Sequence, residues 1–227
     1  FRSDDLRPIM TSVYLDIVEG QISFVASDGH KLALLELRDE SMTEKMSFAL
    51  PLKIATILKG LIKPSDELIN IFVNNNSVRL EYGSESIIAT LQEGNYPNYR
   101  SVLPQNNDKI LSIGKADLNG AIKRVSVFAN QASSLVKLEL SKDLIKLSAQ
   151  DIDFSTAADE TVTCGYTGTA MAIGFKGHLL TELISAIPSS DLQMSFFDPS
   201  RATLITPVED KPEDKLTYLL MPMMLND

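Results

Sequence analysis

ISFVASDGHKLALLEL, residues 22–37, alternates apolar and polar side chains on both sides of an Asp-Gly-His triplet. That period of two is what a half-buried strand requires. The design returns later in the chain, where IKLSAQDIDFSTAADE (145–160) sets Ala149-Gln150-Asp151 in the place of Ala26-Ser27-Asp28. Further on, SFALPLKIATILKGLIKPSDELINIFV lines up with MAIGFKGHLLTELISAIPSSDLQMSFF, Leu58 falling on Leu183 and Asp66 on Asp191. Each half reads as two β-like runs, a short strand, an amphipathic helix, a Pro/Ser/Asp stop and two more strands. Self-similarity of this kind marks a duplicated structural unit. We read two copies of one domain, joined near LPQNNDKI (103–110), whose Pro, Asn and Asp residues are loop chemistry.

The copies differ at the front. The second carries KADLNGAIKRVSVFANQ (115–131), in which Leu118, Ile122, Val125 and Ala129 follow helical spacing and Asp117 is the expected N-cap. The first has no such helix, because FRSDD leads straight into LRPIMTSVYLDI. The chain is therefore expected to begin inside a domain, as a cut fragment or with residues missing near its start.

A length of 227 residues holds one large or two ordinary domains with real cores. The 44% hydrophobic and 22% charged content is that of a globular protein. No apolar run approaches the roughly 18 residues that span a bilayer. No secretory signal opens the chain, and a cytoplasmic location is expected. The single cysteine, Cys164, excludes an intrachain disulfide and a multi-thiolate zinc site, and two histidines leave little else for a transition metal. No metal or cofactor is expected. A net charge of -9 argues against binding nucleic acid by bulk attraction, while leaving room for a locally basic surface.

Such a surface has candidates. In residues 52–63, Ile54, Ile57, Leu58 and Leu61 form one apolar stripe, with Lys53, Thr56, Lys59 and Lys63 on the opposite arc. In 117–130, Asn119, Lys123 and Ser126 oppose the apolar stripe and Arg124 lies at its margin. The helix at 178–187 dilutes the pattern with His178, Thr181, Glu182 and Ser185. These faces are either solvated surfaces or lysines turned toward one anionic partner, and composition leaves both open. Taken alone, Asp28-Gly29-His30 reads as a turn, and LLMPMML (219–225) as a buried terminal strand. A hydrolase built on Ser27, Asp28 and His30 is disfavoured, since Ser27 and His30 on extended backbone point apart. The chain also lacks a nucleophile elbow and a phosphate loop.

Three stretches in order, FVASDGHKLAL (24–34), EGNYPNYRSVLP (93–104) and TYLLMPMML (217–225), resemble the bacterial DNA polymerase III beta subunit, the sliding clamp family. IGKADLNGAIKRVSVFAN and MAIGFKGHLLTELISAI also read like its third domain. The resemblance implies an α+β fold of tandem DNA-clamp domains, each with paired β-α-β-β-β units, helices inside and antiparallel sheets outside. Residues 1–103 would be the middle domain lacking its first helix, and 104–227 the C-terminal domain, with the N-terminal clamp domain absent. The implied function is that of a non-catalytic processivity factor. By the same resemblance, two full-length chains would close head to tail around duplex DNA, sequence-independently, and would tether polymerases and the clamp loader through linear peptides.

Carried over by position, the resemblance implies a partner-peptide groove at the domain seam. It would comprise Met10, Ser27, Gly29, His30, Lys31, Leu32, Pro97, Ser101, Val102, Ala202, Leu219, Leu220, Met221, Pro222 and Met223. Soft methionines suit a surface that repacks around different ligands, and Pro222 ends strand pairing. Lys31 and Ser101 stand where the family often has arginine, so partner preference is expected to differ. Lys53, Lys59, Lys63, Lys123 and Arg124 are the DNA-facing candidates. The alternative, a peptide-binding adaptor unrelated to replication, explains the Met-rich tail but not a duplicated domain with lysine-faced helices.

Overall fold

The computed structural model describes residues 8–63, 68–208 and 214–225. The opening stretch through Arg7, and Asp66 of the repeat alignment, lie outside the described residues. The chain divides into two compact units, Phe1–Gly29 with Ala33–Tyr99, and His30–Leu32 with Arg100–Asp227.

The first unit begins with a 3-10 turn, Pro8–Thr11, and continues through β1 (Ser12–Val18), β2 (Gln21–Ser27), β3 (Lys31–Arg38) and β4 (Met46–Pro51). Then come α1 (Leu52–Leu61) and a meander of β5 (Ile69–Val73), β6 (Ser77–Tyr82) and β7 (Glu85–Thr90). The strand order β3-β2-β1-β4 places β1 antiparallel to both β2 and β4, with Leu15 opposite Phe24 and Phe48. Leu15, Ile17, Phe48, Leu50, Val78 and Leu80 form the core, and Ile54, Ala55 and Leu58 of α1 pack on it.

The second unit runs β8 (Lys109–Gly114), α2 (Lys115–Ser126), β9 (Leu135–Ser141), β10 (Leu144–Asp151), β11 (Thr156–Thr163), β12 (Gly165–Thr167) and β13 (Met171–Lys176). It ends with α3 (Gly177–Ala186), β14 (Asp191–Phe196), β15 (Thr203–Pro207) and β16 (Asp214–Leu220). One sheet has the order β11-β10-β9-β13, and the other runs β12-β8-β14-β15-β16. Burial alternates along β10, with Ile145, Leu147, Ala149 and Asp151 inside, which is the period-two pattern that suggested the repeat.

The duplication is visible in topology. β3-β2-β1-β4, α1 and β5-β6-β7 correspond in order to β11-β10-β9-β13, α3 and β14-β15-β16. Three strands follow the central helix in each half, one more than the sequence reading allowed. The short runs after it are joined by tight turns that apolar spacing alone does not separate. The second unit adds β8 and α2, and these change how its helices are buried.

α2 packs on α3. Leu118, Ala121, Ile122 and Val125 of α2, with Leu180, Leu183 and Ile184 of α3, are buried as a result. α1 contacts β1 and β4, and none of its residues is fully buried. This explains one departure from expectation: Ile57 is 44% exposed and faces away from the sheet, leaving Ile54 and Leu58 as the packed stripe. α2 also differs from its reading. Gly114, not Asp117, is the N-cap, and Ala129 lies beyond the helix end. Asn119 and Ser126 do not oppose the apolar stripe. The Asn119 amide donates to the Ser185 hydroxyl of α3 at 3.1 Å, and the Ser126 hydroxyl is buried.

Candidate functional site

The Asp-Gly-His triplet is a turn between β2 and β3. Gly29 has φ +85°, a left-handed conformation that any side chain would strain. The Gly29 amide donates to the Ser27 hydroxyl at 3.2 Å, so this serine has a turn-forming role. Beyond Gly29 the chain enters the second unit, where His30 is exposed, Lys31 half-buried and Leu32 buried.

Within that unit the turn meets the tail. β16 ends at Leu220, and the next amide, that of Met221, donates to the His30 carbonyl at 2.9 Å. Two residues on, the Met223 amide donates to the Gly174 carbonyl of β13 at 2.8 Å. A Cβ at position 174 would lie 2.8 Å from Leu135 Cδ1 and Leu225 Cδ2 and 3.1 Å from the Met223 carbonyl oxygen. Glycine is therefore the residue that lets the tail lie on β13. Lys31 forms an ion pair with Glu182 of α3, attaching the turn to a second element.

The apolar surface here is graded. Leu32, Ala202, Leu219 and Leu220 are buried, Pro222 and Met223 are half-buried, and Met221 and Met224 are exposed. The exposed methionines are unbranched and flexible, so the surface they make can re-form around apolar anchors of different shape. Ser101 and Val102 are exposed on the 3-10 turn Tyr99–Val102, Val102 at 54%.

The first unit holds Met10, Ser27, Gly29 and Pro97. Met10 is buried with Ile9 and Ala49, and Tyr14 and Tyr96 pack on this cluster. The two tyrosine rings are stacked, with centroids 4.5 Å apart and planes 5° from parallel. Burial pushes the Tyr96 phenol up to about 12, with Tyr14 adding to the shift. Tyr99 is buried and its hydroxyl donates to Asp16 at 2.7 Å, so it is a packing residue. Pro97 is exposed.

Of the five candidate DNA-facing cations, Lys53, Lys59, Lys63 and Lys123 are exposed. Arg124 is exposed too, but Glu160 of β11 holds it in a bidentate pair, Nε to Oε2 at 2.9 Å and Nη2 to Oε1 at 2.6 Å. Those hydrogen bonds hold the guanidinium above and the carboxyl below their ordinary pKa values. Arg124 therefore presents less free charge than the lysines. Among the described residues, no cluster of three or more His, Cys, Asp or Glu side chains could hold a metal ion, and no helix is long and apolar enough to cross a membrane.

Sequence reading missed Gly174 and the pairing role of Glu182. Gly174 carried a signal, a glycine inside the strand pattern MAIGFK, which marks close backbone approach. Glu182 carried none, since its partner lies far away in the chain.

Comparison with known proteins places these features in a lineage. Residues 1–98 match the family model for the DNA polymerase III beta subunit, central domain, and residues 100–224 match that for its C-terminal domain. Curated relatives named beta sliding clamp include one from Staphylococcus aureus, 27% identical over 222 residues, and one from Staphylococcus epidermidis, 28% identical. Both alignments cover 97% of this chain and 58% of the relative, so the chain spans somewhat over half of the length of these proteins. A solved sliding clamp from Pseudomonas aeruginosa, bound to griselimycin, superposes with a TM-score of 0.92 at 25% identity. That match covers 99% of this chain and 60% of the solved one.

Proposed function

Because the chain belongs to the DNA polymerase III beta subunit family, we propose that it is the middle and C-terminal portion of a replicative sliding clamp. In this reading the whole protein is a cytoplasmic, non-catalytic processivity factor that encircles duplex DNA. It tethers polymerases and the clamp loader through short linear peptides. The observation that carries the docking part is the hydrogen bond from Met221 to His30, which sets the turn beside the methionine tail. The second unit contributes His30, Lys31, Leu32, Ser101, Val102, Ala202 and Leu219 through Met223 to docking. The first contributes Met10, Ser27, Gly29 and Pro97.

Lys53, Lys59, Lys63 and Lys123 are the phosphate-attracting lining, with Arg124 a weaker member. Contacts to phosphate alone carry no sequence information, which a slider requires. In the full-length protein, two copies associate head to tail to close the ring. The adaptor alternative lacks support, since both units match domains of the same replicative family.

The test is the double variant Lys53→Glu/Lys123→Glu in the full-length protein, loaded on circular DNA. Losing two phosphate contacts lowers the steepness of the log–log salt dependence by about 1.8 and shortens retention. Unchanged retention at low salt would remove these lysines from the duplex-facing surface.

A further inference from the structure

The first unit contains a cleft of about 620 Å³ that the docking and DNA surfaces do not use. Its walls include four amide side chains, Asn75, Asn76, Gln92 and Asn95, together with the stacked Tyr14 and Tyr96. Glu93 is the one charged residue in the lining, which has no lysine or arginine. The walls are set by the backbone. The Asn74 carboxamide oxygen accepts from the amides of Asn76 and Ser77 at 3.1 and 2.8 Å, shaping the β5–β6 turn. Across from it, the Leu91 amide donates to the Asn76 carbonyl at 2.9 Å and the Gln92 amide to the Ala49 carbonyl at 3.0 Å. The buried Tyr96 hydroxyl has no hydrogen-bond partner.

We propose that this cleft binds a guanidinium group, presented by an arginine-bearing partner segment. An anion would meet a carboxylate with no cation to offset it, which is unfavourable. A planar cation meets an acidic group, several amide oxygens and aromatic rings, each of which attracts it. Guanidinium suits the lining better than ammonium because its plane stacks on rings while its five donors reach several acceptors. Tyr14, Ala49 and Tyr96 belong both to this cleft and to the cluster that holds Met10, so occupancy bears on that residue's packing. The inference stands apart from the clamp reading, since it rests on the lining alone.

The experiment is a titration of the whole chain with N-acetylarginine amide, followed by amide chemical shifts. N-acetylcitrulline amide serves as the uncharged isostere. Saturable shifts at Asn75, Asn76 and Gln92 through Tyr96 are expected. Affinity should be at least about fivefold weaker for citrulline, and for arginine against Glu93→Gln, because charge-assisted bonds are lost. Glu93 is exposed, so the variant folds. The proposal is overturned by non-saturable shifts, by equal affinity for citrulline, or by unchanged affinity in the variant.

Discussion

The Met221 amide donates to the His30 carbonyl across 2.9 Å, joining the turn after β2 to the tail after β16. The tail is held a second time by the bond from Met223 to Gly174. Gly174→Ala puts a methyl group 2.8 Å from two leucine side-chain carbons and 3.1 Å from a backbone oxygen. Overpacking of this kind costs about 1–3 kcal/mol. Denaturant unfolding should show that loss, and hydrogen exchange should show faster exchange at Met221 and Met223. Parent-like exchange at both amides would mean that the tail does not depend on this contact.

The helix environments predict an asymmetry between the units. Ile122 of α2 is fully buried against α3 and the sheet, and Ile122→Ala should cost about 2–5 kcal/mol. Ile57 of α1 is 44% exposed, and Ile57→Ala should stay within about 0.5 kcal/mol. Paired urea titrations check both. Equal losses would contradict the difference in burial.

Acid should reveal the pair between Glu160 and Arg124. Hydrogen bonding from Arg124 lowers the Glu160 pKa below its ordinary 4.5. A carboxylate depressed on folding stabilises above its unfolded value and loses that contribution as pH falls through the folded value. The Glu160→Gln variant should therefore have a flatter acid limb below pH 4.5 and a constant offset above it. Thermal midpoints recorded across that range test this, and parallel curves for parent and variant would exclude the linkage.

The duplicated order of strands was legible because period-two alternation survives in strands such as ISFVAS and IKLSAQ, where one face is buried. Boundaries were less legible. Asp117 looked like a cap, but the helix starts earlier because the Lys115 amide finds the Ser190 carbonyl at 2.8 Å, a tertiary contact. Ile57 looked like core because apolar spacing records which face could be buried, while burial needs a second layer to cover it. At the site, the turn and the methionine tail could be named from motifs. Their contact through His30 and the pairing of Lys31 with Glu182 depend on folding, which brings together residues from distant parts of the chain.

The most direct test of docking at the turn and tail is fluorescence anisotropy with a labelled linear peptide that carries apolar and aromatic anchors, from a replicative polymerase. The parent chain should bind with micromolar or tighter affinity, about -8 kcal/mol. Met221→Glu, at an exposed position that leaves the core intact, should weaken binding at least about tenfold, as loss of an apolar anchor contact does. Absence of saturable binding by the parent, or equal affinity in the variant, would contradict the account.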